Sequence, residues 1–174
     1  MKVTELIQGG TTAFSFEVLP PKKGEGIEGL EQTIERLQEY SPKYINITTH
    51  HSEPVYTRRP DGLLEVEQVR RRPGTVAVAA ALQYKYHIPV VPHILCQGFT
   101  KEETEYVLLD LQFLGIENLL LLRGDRNKDN EQLFKTILGN QHATELQEQV
   151  NRFNEGYFLN GSKMAYRGKP FSYG

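Results

Sequence analysis

At 174 residues the chain is long enough for one domain with a sizeable core. Its 39% apolar, 24% charged and 10% aromatic content is that of a soluble globular protein, and a formal charge of -2, from 20 Lys+Arg against 22 Asp+Glu, offers no electrostatic argument for nucleic acid or an anionic membrane. No run approaches the roughly 18 apolar residues of a membrane span. Met1–Gly10 is mixed polar with no cleavage-site pattern, which argues against a secretory signal, and Cys96 as the single cysteine excludes an intrachain disulfide. The expected location is the cytoplasm.

Strand-then-helix units recur along the chain. The first strand is expected over Ala13–Leu19, ahead of Pro20-Pro21, and is followed by a helix whose apolar stripe is Ile27, Leu30, Ile34 and Leu37. Tyr44–Thr49 is the second strand. After it comes an insertion, His50–Gly74, and then an alanine-rich helix over Thr75–Tyr84. Val90–Leu95 is the third strand. The next helix opens with Thr100-x-x-Glu103, a pattern in which the two side chains satisfy orphan backbone donors, and continues through Val107, Leu111 and Leu114. Leu119–Arg123 is the fourth strand, and a helix from about Ala143 carries Leu146, Val150 and Phe153 on one face. Asn160-Gly161 between apolar flanks signals a hairpin turn, and Phe171–Gly174 starts a further strand.

The strands alternate little between apolar and polar, as parallel strands buried on both faces do. Alternating strands and helices imply right-handed crossovers, and the whole reads as the first four βα units of a (β/α)8 TIM barrel plus the start of strand five. Glu17, Thr48-Thr49, His93 and Arg123-Gly124-Asp125 fall at or just beyond the C-terminal ends of the strands. Ligands bind at that edge in barrels and in open α/β sheets.

Each motif has a plainer reading. Gly24-x-Gly26-x-x-Gly29 matches a dinucleotide fingerprint, but Pro20-Pro21-Lys22-Lys23 separates it from the strand and prevents the required tight turn; it reads as a lead-in to the first helix. Glu17, in an apolar strand, is either solvated at the rim or held for proton transfer. His93 near Cys96 and His50-His51-x-Glu53 lacks any metal-ligand spacing, so no metal is expected. Cys96 reads as a small buried side chain. Arg123 presents a planar donor fork for phosphate or carbonyl, with a structural Arg–Asp pair as the alternative. The runs Arg58-Arg59 and Arg70-Arg71-Arg72 read as solvated turns.

Taken in order, Phe14-Ser15-Phe16-Glu17-Val18-Leu19-Pro20-Pro21-Lys22, Asn46-Ile47-Thr48-Thr49, Pro92-His93-Ile94-Leu95-Cys96 and Leu121-Leu122-Arg123-Gly124-Asp125 resemble the methylenetetrahydrofolate reductase family over nearly the whole chain. The resemblance implies a flavin-containing barrel in which FAD, reduced by NADH or NADPH, reduces 5,10-methylenetetrahydrofolate to 5-methyltetrahydrofolate. Glu17 matches the family's general acid, which assists folate ring opening to an iminium from a partly desolvated pocket. Asp125 matches an aspartate near flavin and folate, whose charge favours the cation. Both are therefore expected to be catalytic and substrate-binding. Thr48, His93, the Leu122 backbone, Arg123, Gly124 and Asp125 match FAD-contacting positions, and His142-Ala143 align with another flavin-contacting pair.

The chain departs from the family in two places. Thr49-His50-His51 stands where many members continue with an aromatic and a glycine, and the chain stops before the family's Tyr-Pro-Glu-x-His stretch on strand five. Residues 1–174 are thus expected to be the N-terminal part of a single flavin-binding barrel, truncated and inactive alone, with a full-length form that is a homo-oligomer. The competing readings are a non-catalytic flavin- or folate-binding fragment and a barrel lyase or aldolase using Glu17 and His93 as acid and base.

Overall fold

The structure is a computed structural model that describes residues 1–8, 10, 12–50, 53–96, 98–124 and 138–174. Its elements, in chain order, are α1 (Val3–Ile7), β1 (Ser15–Val18), α2 (Glu28–Gln38), β2 (Tyr44–Ile47), β3 (Glu53–Arg58), β4 (Leu64–Val69), α3 (Thr75–Tyr86), β5 (Val90–Leu95), α4 (Lys101–Phe113), β6 (Asn118–Leu122), α5 (Ala143–Asn154) and β7 (Ser172–Tyr173). Five strands form one sheet in the order β1-β2-β5-β6-β7, and every pairing in it is parallel. Among the described residues this is an α/β fold whose main sheet is open, with β1 and β7 at its edges.

Local chemistry fixes the helices. Thr100 Oγ1 accepts from the Glu103 amide at 3.0 Å while Glu103 Oε2 accepts from the Thr100 amide at 2.8 Å, the reciprocal cap expected from the sequence. At the far end of α4, Gly115 takes φ +66; its amide reaches the Gln112 carbonyl and that of Ile116 reaches Leu111, the paired bonds of a glycine-terminated helix. Gly156 ends α5 in the same way, with φ +90 and bonds to Phe153 and, through Tyr157, to Arg152. Acidic side chains at the start of α2 (Glu28, Glu31) and α5 (Glu145), with Arg36 and Arg152 in their last turns, match the helix dipole.

The register sorts the strand residues by face. Glu17 pairs with Asn46 and Asn46 with Val91, so Glu17, Asn46, Val91 and His93 lie on one face and Val18, Ile45, Ile47, Val90 and Ile94 on the other. The second set packs with Leu30 and Ile34 of α2, Val78 and Leu82 of α3, Leu108 and Leu111 of α4, and Leu146, Val150 and Phe153 of α5 into one core. The opposite face is covered less. Glu17 and Leu122 are exposed there and Asn46 and Leu120 half-buried, whereas β5, in the middle of the sheet, is buried throughout.

Three features differ from the sequence-based expectation. The insertion after the second strand contains an antiparallel hairpin: β3 and β4 pair from Glu53–Val69 to Arg58–Leu64 as a separate two-stranded sheet. Its period-2 pattern was hidden by its charge, because Thr57-Arg58-Arg59 and Glu65-x-Glu67 occupy positions that a buried strand fills with apolar residues. The Asn160-Gly161 segment makes a tight turn with a single antiparallel bridge, Tyr157–Lys163, rather than a ladder. Finally, the N-terminus forms the short helix α1, tied beneath the sheet by Asn118, whose Oδ1 accepts from the Val3 amide and whose Nδ2 donates to the Met1 carbonyl.

Burial decides which substitutions matter. Ile47→Ala, at 0% exposure, is expected to cost about 2–5 kcal/mol. Phe113→Ala, at 91% exposure, is expected to stay within about 0.5 kcal/mol. Urea unfolding midpoints, with an unchanged slope, check both.

Candidate functional site

The polar residues converge at the C-terminal edge of the sheet because parallel strands all deliver their last residues to the same side. β1 brings Glu17 and β5 brings His93, with Glu17 Oε2 3.7 Å from His93 Nε2. The two side chains are in unlike surroundings: Glu17 is 56% exposed and His93 only 6%. The desolvated pocket expected for this carboxyl is not built by the described residues. What they bury is the imidazole. His93 Nε2 finds no hydrogen-bond partner among the described residues, so the ring keeps an unspent donor or acceptor facing Glu17.

The strand ends are tied to one another. The Thr48 amide donates to the Val18 carbonyl at 3.1 Å, and Thr48 Oγ1 approaches His50 Nε2 at 3.3 Å. Thr49 Oγ1 donates to the His93 carbonyl at 2.6 Å, and the Cys96 amide donates to Leu122 at 3.0 Å. β1, β2, β5 and β6 are thus fastened pairwise beyond their ladders. This rim borders an open cleft lined by Thr48, Thr49, His50, His93, Leu95, Leu122, Arg123 and Gly124. Arg123 Nε is buried with no partner among the described residues, and Gly124, with φ +90, turns the chain away directly after it.

Five of the sequence-derived positions, Thr48, His93, Leu122, Arg123 and Gly124, therefore share one cleft, and Glu17 meets it through His93. Asp125 and His51 lie outside the described residues. His142 and Ala143 do not line the cleft: His142 is the N-cap residue of α5, its side chain makes no capping bond, and Ala143 packs against the core. Sequence reasoning places Thr49 at this ligand-binding edge without a contact of its own, weighs His50 only as a metal ligand, and gives Leu95 no ligand role. Leu95 had a usable signal, since it follows His93 by two residues and so shares its face. Cys96 is buried, and its thiol is pushed up to about 11, first by burial, then by Glu145, against a lowering by Arg123. That makes it a packing residue rather than a nucleophile. No cluster of three potential metal ligands, and no helix long and apolar enough to cross a membrane, occurs among the described residues.

Burial lowers the His93 pKa below its ordinary value, and the Glu17 carboxylate opposes that lowering. The sign for stability follows. A histidine held neutral in the fold contributes fully above its unfolded pKa near 6.5, and the contribution is lost as pH falls below it, because the unfolded chain then binds the extra proton. Glu17→Gln removes the opposing charge, so the His93 midpoint is expected to fall further, and the change is read by NMR titration of the imidazole carbons. An unchanged or higher midpoint would show that the two groups do not interact.

Comparison with known proteins places the sequence in a family. A family model, Methylenetetrahydrofolate reductase, matches residues 2–166. Methylenetetrahydrofolate reductase (NADH) 1 of Arabidopsis thaliana is 26% identical over 157 residues, which is 90% of this chain and 24% of that protein. The 5,10-methylenetetrahydrofolate reductase of Escherichia coli (strain K12) is 26% identical over 116 residues, 67% of this chain and 34% of the relative. The Probable methylenetetrahydrofolate reductase (NADPH) of Caenorhabditis elegans is 25% identical over 125 residues, 71% of this chain and 17% of the relative. The chain spans between about a sixth and a third of the length of these relatives. With a match that runs through nearly all of its residues, the chain belongs to the methylenetetrahydrofolate reductase family.

Proposed function

We propose that this chain provides the proton-donor and much of the flavin-binding part of a (β/α)8 barrel that reduces 5,10-methylenetetrahydrofolate to 5-methyltetrahydrofolate with FAD and NAD(P)H. The observation that carries the reading is the placement of Glu17 against buried, unpartnered His93 at the rim of a cleft that also holds Arg123 Nε unpartnered. A cofactor with phosphates and ring carbonyls suits such a cleft, because it supplies acceptors to orphaned donors. Thr48, His93, the Leu122 backbone, Arg123 and Gly124 would hold it there, with Asp125 and, outside the cleft at the head of α5, the His142-Ala143 pair proposed as further contacts. FAD, when bound, supplies the hydride transfer, for which the protein provides orientation and electrostatics.

The chain's own residues have distinct roles in this reading. Glu17 gives a proton to the folate ring nitrogen as the five-membered ring opens, and the iminium so formed is the hydride acceptor. His93, whose charged form burial disfavours, is the group that faces the Glu17 carboxyl and orients it, with Oε2 3.7 Å from its Nε2. Asp125 places negative charge beside the cationic iminium, which favours it. The relatives' names divide between NADH and NADPH, so the reductant is written for either dinucleotide.

Alone, this chain is proposed to be inactive. Glu17 is 56% exposed and therefore solvated, and β1 and β7 have unpaired outer edges among the described residues. In the complete protein, Glu17→Gln is expected to spare reduction of flavin by NAD(P)H and to slow the folate half-reaction about 10²–10⁴-fold. Stopped-flow measurement of flavin bleaching and reoxidation separates the two. Equal losses in both halves would refute the acid role, and an absence of flavin in the purified complete protein would refute the reading as a whole.

A further inference from the structure

The run Arg70-Arg71-Arg72 is a loop with Arg70 and Arg71 exposed, as its composition suggests, but it is also held in place. It leaves the β3–β4 hairpin and is fastened on two sides. The Arg71 carbonyl accepts from the Lys23 amide at 2.6 Å, and Arg72 Nη1 donates to the Pro20 carbonyl. In the other direction the Arg70 guanidinium lies 3.5 Å from Glu103 Oε1 and 5.6 Å from the centre of the Phe99 ring. Three successive residues thus join the β1–α2 loop to the β5–α4 loop and the first turn of α4, which are the loops that follow Glu17 and His93.

Glu17 depends on such external support. Its carboxylate has no hydrogen bond among the described residues, and its contact is the His93 ring at 3.7 Å. Among the described residues β1 is an edge strand whose ladder partner is β2. The carboxylate therefore takes its place from the backbone, which is held just downstream at two points: the Val18 carbonyl, by Thr48, and the Pro20 carbonyl, by Arg72. Pro20 is fully buried and precedes Pro21, and two fixed φ angles make this segment stiff. A stiff segment passes a displacement at Pro20 back to Glu17 instead of absorbing it. Arg72 and Glu17 also border the same groove, together with Pro20 and Pro21.

We infer that Arg70–Arg72 is a strap across the C-terminal edge of the sheet and that Arg72 is a positioning residue, setting Glu17 against His93 through the Pro20 carbonyl. The consequence for catalysis rests on the proposed role of Glu17, whereas the geometric claim does not.

The test uses the complete protein with its flavin. Arg72→Met keeps the aliphatic stem and removes the donor, and Arg72→Lys keeps one donor. Arg72→Met is expected to slow the folate half-reaction about 10–100-fold, as a misplaced acid does, with flavin reduction by NAD(P)H changed less than about twofold. It is also expected to lower the His93 NMR midpoint in the direction of Glu17→Gln, opposite to the rise that loss of the Arg72 charge would give by itself, since Arg72 lines one cavity with Thr49, His50, Arg70 and His93, while Arg123 borders His93 from the neighbouring cleft. Arg72→Lys is expected to restore both readouts, and in a Glu17→Gln background Arg72→Met should leave the folate half-reaction unchanged and should not lower the midpoint further. An unmoved or raised His93 midpoint in Arg72→Met alone overturns the inference. So does an equal fall in both half-reactions that Arg72→Lys fails to rescue. If the unmodified protein shows no folate reduction, the functional proposal fails while the His93 midpoints still decide the strap.

Discussion

A neutral imidazole in the middle of the sheet is the constraint around which the candidate site is organised. β5 is buried along its whole length, so His93, though it lines the cleft, loses most of its water and its charged form becomes costly. A buried ring with an unpaired nitrogen is tolerable only beside a group that interacts with it, and Glu17 is the group that the strand register delivers. The Thr49 hydroxyl on the His93 carbonyl then fixes the backbone from which the ring projects. The rigidity of the site therefore belongs to the histidine, while the carboxylate, more than half exposed, borrows its position from what surrounds it.

The sheet accounts for this asymmetry. Four helices of eleven to thirteen residues cover one face of the parallel strands and complete a core there. The other face carries Glu17, Asn46, His93 and Leu122, whose burial falls from the centre of the sheet toward its edges. Chemistry-bearing side chains sit on the less covered face because that is where a ligand has room to approach. Packing residues on the covered face leave no such freedom.

How much of this could be read from the chain depended on the kind of signal. The four main strands were legible because Tyr44–Ile47, Val90–Leu95 and their partners are short apolar runs ending in polar residues, and Thr100-x-x-Glu103 announced a helix start that the structure reproduces bond for bond. Their common edge followed from parallel connectivity alone. The β3–β4 hairpin was missed although Leu64-Glu65-Val66-Glu67 alternates, because its partner strand Glu53–Arg58 carries Pro54 and ends in Thr57-Arg58 and so shows no matching apolar pattern. The arginine run was read only in part. Its exposure was legible, but the partners of Arg71 and Arg72 on the β1–α2 loop are the main-chain amide of Lys23 and carbonyl of Pro20, far away in sequence, and backbone groups leave no trace in residue type. The exposure of Glu17 was equally hidden, since it depends on what lies across the sheet rather than on β1 itself.

The hairpin also has a consequence for how the chain reaches this fold. Ile45 of β2 must find Val90 of β5 with the whole insertion between them. Closing a longer loop is entropically mild, about 0.6 kcal/mol for each doubling of length, but the search takes longer as contacts become less local. Pairing of Glu53–Arg58 with Leu64–Val69 is local and can form within roughly 1–10 μs, long before a parallel crossover. Once formed, it brings residue 53 next to residue 69 and removes the ribbon from the effective loop. A charged insertion that looks like a burden on assembly is in this sense a self-shortening tether.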